Sequence, residues 1–113
     1  MHICGDTKNI WHDMAEIGFG RLSIDDMMSL AEAKRIVGHV SSLKGNVSPT
    51  RVLLLGTPEE VCEASCRCLD EAADNPKGFM LSTGCNLAWG TPPENIQAML
   101  DAARIWYKEN REV

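Results

Sequence analysis

Aromatic residues are scarce in this chain: three Trp, two Phe and one Tyr in 113 residues. No block of Lys and Arg is present, and the net charge is −5. A nucleic-acid or anionic-membrane surface needs clustered cations, with stacking rings among them for single strands, so neither partner is expected. No apolar run approaches the ~20 residues of a membrane-spanning helix, and no signal peptide is visible, which predicts a cytoplasmic protein. There is no low-complexity stretch, internal repeat or linker either. One domain over residues 1–113 is the reading, of a size that supports a modest core.

An even cysteine framework is also missing. The five cysteines are an odd number, in spacings unlike those of a small secreted scaffold, so thiols or metal ligands are expected. Cys62, Cys66 and Cys68 fall in a helical pattern where Cys66 and Cys68 point in different directions. They read as small apolar residues packing a helix.

What is present starts at residue 2. His2 and Cys4 are two apart, so on a strand both side chains leave from one face. An imidazole and a thiolate side by side are natural zinc ligands, and Cys85 in Gly84-Cys85-Asn86 is the candidate third. Three such ligands would leave one tetrahedral position open for substrate.

The rest of the chain alternates strand with helix. After Asp6, a possible cap, Thr7–Ile17 has Ile10, Met14 and Ile17 at helical spacing with Trp11 beside them. His12 reads as a surface residue of that helix. Phe19–Ile24 is a short strand with Asp25-Asp26 at its end. Ser29 and Glu32 form a capping-box pattern before Leu30–Val37. His39–Lys44 reads as a strand ending in Gly45-Asn46-Val47-Ser48-Pro49, and Leu53-Leu54-Leu55 as a short helical turn over one end of the core. Thr57-Pro58-Glu59-Glu60 opens a helix to about Asp74. Phe79–Thr83 is the last strand, and Thr91-Pro92-Pro93-Glu94 opens a final helix whose stripe is Ile96, Met99, Leu100, Ala103 and Trp106.

Four βα units in succession predict an α/β fold with a parallel sheet and right-handed crossovers. Ligands gather at the carboxyl ends of such strands. Those ends carry Cys4 and Asp6, Asp25 and Asp26, Asn46 and Ser48, and Cys85 and Asn86. Asp25 and Asn46 are candidates for a substrate or ligand-orienting hydrogen bond. Trp89 is expected to anchor its loop in the core, with walling of the pocket as the alternative.

The segments His2-Ile3-Cys4-Gly5-Asp6, Gly45-Asn46-Val47-Ser48-Pro49, Gly56-Thr57-Pro58-Glu59-Glu60-Val61, Gly84-Cys85 and Gly90-Thr91-Pro92-Pro93-Glu94-Asn95-Ile96 together resemble the uroporphyrinogen decarboxylase superfamily. The resemblance spans essentially the whole chain and implies the C-terminal half of a (β/α)8 TIM barrel, a fold of about 250 residues. The His-x-Cys and later Gly-Cys pattern is similar to the cobalamin-dependent methyltransferases of that superfamily. It implies zinc on His2, Cys4 and Cys85, a methyl-corrinoid donor carried by a separate protein or free, and a thiol acceptor. A half-barrel exposes two sheet edges, so a homodimer or an N-terminal partner chain is expected. The alternatives are a non-catalytic half-barrel module acting through association, and uroporphyrinogen decarboxylase-type decarboxylation.

Overall fold

The computed structural model describes residues 1–110. Three strands form a parallel sheet in the order β1 (Arg21–Ser23), β2 (Ser42–Val47), β3 (Phe79–Thr83). Helices α1 (Trp11–Glu16), α2 (Leu30–Val37), α3 (Pro58–Ala72) and α4 (Pro93–Asn110) alternate with them. The sheet is therefore parallel, as the alternation predicts, and a parallel sheet needs such crossovers because no tight turn can join its strands.

The first expected strand is reduced to one bridge. His2 pairs in parallel with Ser23 on the free edge of β1. The Met1 ammonium donates to the Arg21 carbonyl at 2.9 Å, and Ser23 N–H donates to the Met1 carbonyl at 2.8 Å. The chain then leaves the edge at once, because Gly5 turns with φ +85°.

Helix starts follow local chemistry. Thr57 Oγ1 accepts from Glu60 N–H and Glu60 Oε2 accepts from Thr57 N–H, a complete capping box, with Pro58 in the first turn. At α2 the box is half formed. Ser29 Oγ accepts from Glu32 N–H, but the Glu32 carboxylate binds Lys8 Nζ at 2.8 Å instead. Asp6 accepts from Lys8 N–H, and the turn it starts is a 3₁₀ turn, Lys8–Ile10, ahead of α1. Thr91 hydroxyl donates back to the Ala88 carbonyl, and α4 begins at Pro93.

The core lies between the sheet and α1, α2 and α3. Leu22, Ile24, Leu43 and Val47 from the sheet side meet Trp11, Met14, Leu30, Ala33, Val37 and Val61. Each large apolar side chain so buried contributes about 1.5–3 kcal/mol relative to exposure. On α1 the buried pair is Trp11 and Met14, while Ile10 and Ile17 are exposed. Six residues make less than two turns, too short for the longer stripe to reach the core. On α4 the buried residues are Asn95 and Ala102, whereas Leu100 is exposed. Asn95 donates to the carbonyls of Leu53 and Gly56 at 2.8 and 2.9 Å, tying α4 to the π-helical turn Pro49–Leu54. Within that turn Leu53 is buried, and Leu55 just beyond it is exposed.

β2 begins later and runs further than His39–Lys44. Val40 and Ser41 N–H both donate to the Val37 carbonyl, so residues 39–41 extend the end of α2 as a turn. The strand then crosses Gly45 and Asn46. Gly45 is a close-approach glycine here: a Cβ at that position would lie 2.8 Å from the Ile24 carbonyl oxygen.

Candidate metal centre

The single bridge at His2 does more than extend the sheet. His2 Nδ1 lies 2.9 Å from Ser23 Oγ and 3.3 Å from the Ser23 carbonyl oxygen. With the Nδ1 proton donated there, Nε2 presents its lone pair on the other side of the ring. That nitrogen faces Cys4 Sγ at 3.3 Å.

Cys85 arrives from the far end of the chain. It follows β3, where Gly84 N–H donates to the Val47 carbonyl at 2.8 Å, and the Thr83 hydroxyl donates to the Cys85 carbonyl. Cys85 Sγ lies 3.4 Å from Cys4 Sγ. All three donor atoms of His2, Cys4 and Cys85 fall within 4.8 Å of one another. A tetrahedral centre with zinc–nitrogen and zinc–sulfur bonds of ~2.0–2.3 Å sets its ligand atoms about 3.3–3.8 Å apart, so the arrangement fits the donor set of such an ion. Among the described residues it is the one cluster of three His, Cys, Asp or Glu side chains that does.

The hydrogen bond shared with Cys85 does most to keep the Cys4 thiol above its ordinary pKa of 9.0, followed by burial and by the negative charges of Cys85 and Asp25. Coordination reverses that preference, since a metal takes the thiolate and releases the proton.

The two candidates at other strand ends sit beside the cluster rather than in it. Asp25 is buried, and its carboxylate accepts from Gly5 N–H at 2.9 Å and from Met27 N–H at 3.2 Å. Burial works to raise its pKa, but those two backbone donors, with Asp26 and the charge of His2, outweigh burial and hold it below the ordinary value. Asn46 Nδ2 donates to the carbonyls of Asp25 and Met28 at 3.0 and 2.6 Å, and its Oδ1 accepts from Cys68 of α3. Both amide hydrogens are therefore spent on the loop after β1. Trp89 neither anchors its loop in the core nor lines the cavity: its side chain is fully exposed. Cys62 and Cys66 are half-buried and Cys68 is buried, all as unpaired thiols on α3.

An open cavity of about 410 Å³ adjoins two of the three donors, His2 and Cys85. Arg21, Ser23, Lys44 and Ser82 line it together with His2 and Cys85. Arg21 and Lys44 form no ion pair among the described residues. Arg21 and Ser23 stand at i and i+2 on β1, and that polar alternation was the available sequence signal for this wall. Ser23 as the partner of His2 had no signal of its own.

Fold and site together define a member of the uroporphyrinogen decarboxylase (URO-D) family: residues 1–106 match that family, and the chain belongs to it. Among its relatives, the methylcobamide:CoM methyltransferase MtaA of Methanosarcina barkeri is 34% identical over 108 residues, covering 95% of this chain and 30% of that protein. The uroporphyrinogen decarboxylase of Dechloromonas aromatica is 31% identical over 109 residues, covering 94% of this chain and 30% of that enzyme. The solved structure of a methyltransferase from Methanosarcina mazei superposes with a TM-score of 0.81 at 32% identity, covering 94% of this chain and 30% of that one. The chain thus spans about 30% of the length of the relatives it matches. No helix among the described residues is long and apolar enough to cross a membrane.

Proposed function

We propose that this chain carries the metal-holding part of a zinc-dependent transfer of a methyl group from a methyl-corrinoid to a thiol. The observation that supports this reading most is the convergence of His2 Nε2, Cys4 Sγ and Cys85 Sγ on one point beside an open cavity. His2, Cys4 and Cys85 would hold the ion, and the cavity that His2 and Cys85 line leaves room for a substrate beside it. Zinc there supplies the Lewis acidity that lets a thiol give up its proton near neutral pH.

The chain's own residues do the rest of the placing. Ser23 orients the imidazole through Nδ1. Arg21 and Lys44, unpaired cations in the same cavity, suit a thiol that also carries an anionic group, such as the CoM acceptor in the names of the methyltransferase relatives. In the reaction the thiol sulfur forms a bond to the methyl carbon, the cobalt–carbon bond of the donor breaks with its electron pair left on cobalt, and the thiol proton goes to solvent. No side-chain nucleophile enters. The donor corrinoid is a separate reactant, free or presented by a corrinoid protein.

Residues 1–113 make up, in this reading, a half-barrel domain whose first βα unit begins at the His2 bridge. A second copy or a chain supplying the remaining units completes the barrel. The zinc content of dialysed protein tests the reading, and so does thiol methylation from methylcobalamin by the chain alone and with a complementing family segment. Zinc-replete protein with no methyl transfer in either setting would leave a non-catalytic module. The decarboxylase relatives, 31–37% identical, favour one further assay, consumption of uroporphyrinogen by the same samples.

A further inference from the structure

Cys4 and Cys85 arrive on separate segments, and one short turn touches both. Residues 25–28 follow β1. On one side the Asp25 carboxylate accepts from Gly5 N–H at 2.9 Å, the residue next to Cys4. On the other side Gly84, the residue before Cys85, packs directly on Asp26: a Cβ at position 84 would lie 2.7 Å from Asp26 Cβ and press on the Asp26 backbone. The turn itself is fixed from below. Asn46 binds the carbonyls of Asp25 and Met28, Met27 N–H closes onto the Asp25 carboxylate, and Arg51 pairs with Asp26 at 3.4 Å.

The geometry points to Asp25 as a positioning residue that sets the distance between the Cys4 and Cys85 sulfurs, with Gly84 as the contact that lets the second sulfur approach. Its purpose rests on the reading of the two cysteines as ligands of one ion, whereas its geometry does not. Sequence position explains why the device is needed. His2 is held on the β1 edge by its bridge, but Gly5 leaves that edge, so Cys4 has no ladder partner of its own. A carboxylate with one oxygen on Gly5 N–H and the other on Met27 N–H of its own turn ties the Cys4 segment to that turn and replaces the missing ladder. An uncharged amide at the same place can accept only one of them and turns an N–H toward the other.

The test measures sulfur proximity first and metal second. In chelator-treated full-length protein, oxidised glutathione converts the pair to a disulfide: two thiols and one glutathione disulfide give one Cys4–Cys85 disulfide and two glutathione thiols. Mapped by peptide mass, the equilibrium constant of that exchange is the effective concentration of one sulfur at the other. Asp25→Ala is expected to lower it at least tenfold, Asp25→Asn to lower it less, and Gly84→Ala to lower it like Asp25→Ala. Gln97→Ala, at an exposed position on α4 whose amide bonds only Asp101 of the same helix, is expected to leave it unchanged. With cobalt(II) as spectroscopic probe, the thiolate-to-metal band should weaken in affinity in the same order, by about 10–100-fold for Asp25→Ala. An exchange constant within twofold of native in Asp25→Ala overturns the assignment, whatever the metal does. Should that variant lose its far-ultraviolet circular dichroism, Asp25→Asn decides by the same threshold. If the exchange responds but no variant, nor the native chain, takes up cobalt or zinc, the positioning role stands and the metal reading fails.

Discussion

Cys4 and Cys85 hold their sulfurs 3.4 Å apart although they are separated by 81 positions in the chain. Neither is held by a regular sheet ladder on its own residue, so their meeting depends on the loops after β1 and β3. An ion with tetrahedral geometry would bridge this gap with little rearrangement.

Zinc uptake is the direct consequence. Dialysed native protein is expected to retain roughly one zinc per chain, and Cys85→Ser is expected to retain almost none. Elemental analysis reads the difference. Because the ion binds only the folded chain, zinc at a hundred times its Kd should stabilise native protein by about 2.7 kcal/mol, and should do nothing for Cys85→Ser. Native protein that is metal-free with full secondary structure after zinc dialysis would count decisively against the proposed chemistry.

How much of this was legible in the sequence differs by residue. The full cap at Thr57–Glu60 and the hydroxyl cap at Ser29 were readable, because capping is local chemistry between residues three apart. The chain order of strands and helices was readable for the same reason. Gly45-Asn46 reads as the end of the strand after Lys44, yet the strand runs through it to Val47. The glycine answers to the Ile24 carbonyl, a neighbour 21 residues away, and no local pattern records that. His39–Ser41 looked like a strand because Val40 has a β preference, but those residues complete the end of α2, where two N–H groups bind the Val37 carbonyl. At the site, the three donors stood out by residue type, whereas Ser23, Gly84 and the carboxylate–Gly5 contact emerge only from how the loops pack.

Asn46 supplies a stability prediction. Both its amide hydrogens satisfy carbonyls of the loop after β1, and Cys68 donates to its oxygen. Asn46→Ala leaves two partly buried carbonyls without those donors, and should destabilise by about 1–3 kcal/mol. Asn46→Asp should cost at least as much, since it replaces the donor with a charge facing two carbonyl oxygens. Urea unfolding with an unchanged m-value gives the measurement.

The core offers a calibrating substitution. Leu43 is fully buried in the central strand, between the sheet neighbours Leu22 and Phe79. Leu43→Ala is expected to cost about 2–5 kcal/mol by lost transfer energy and a residual cavity. Leu55→Ala, at an exposed position, should stay within about 0.5 kcal/mol of native. The contrast between the two by urea unfolding checks the assignment of the core.

Two ion pairs contribute to the acid limb of stability, beside the buried carboxylate of Asp25. The hydrogen bond and charge of Lys8 hold the Glu32 pKa below its ordinary 4.5, and those of Lys34 hold Asp74 below its ordinary 3.8. A carboxyl with a depressed folded-state pKa adds stability that is present above its ordinary value and lost as pH falls through the depressed one. Both pairs are solvent-exposed, so the contribution is small and salt-sensitive. Replacing Lys8 and Lys34 with Met should flatten the stability profile below about pH 4.5. Near pH 7 the change should be slight. Urea midpoints between pH 2.5 and 7 read the shape, and an unchanged acid limb in the double variant would remove this account.

Association is the prediction that bears on what the isolated chain can do. β3 pairs with β2 on one side only, and among the described residues no strand covers its other edge. The free edge of β1 carries the His2 bridge and nothing longer. Unpaired strand edges recruit further strands, and Met80, on β3, leaves 45% of its surface exposed. A polar cavity wall and an apolar edge residue side by side suit a partner that continues the sheet past β3 without filling the cavity. Light scattering at micromolar concentration is therefore expected to show species larger than one chain, or a complex when a complementing family segment is added. Met80→Lys should weaken either one at least tenfold, because it places a charge at the joining edge while leaving the β2–β3 ladder intact. Zinc content is the companion measurement: it should survive Met80→Lys, because His2, Cys4 and Cys85 all belong to one chain. If zinc is lost together with association, the donor set is completed across the interface rather than within the chain.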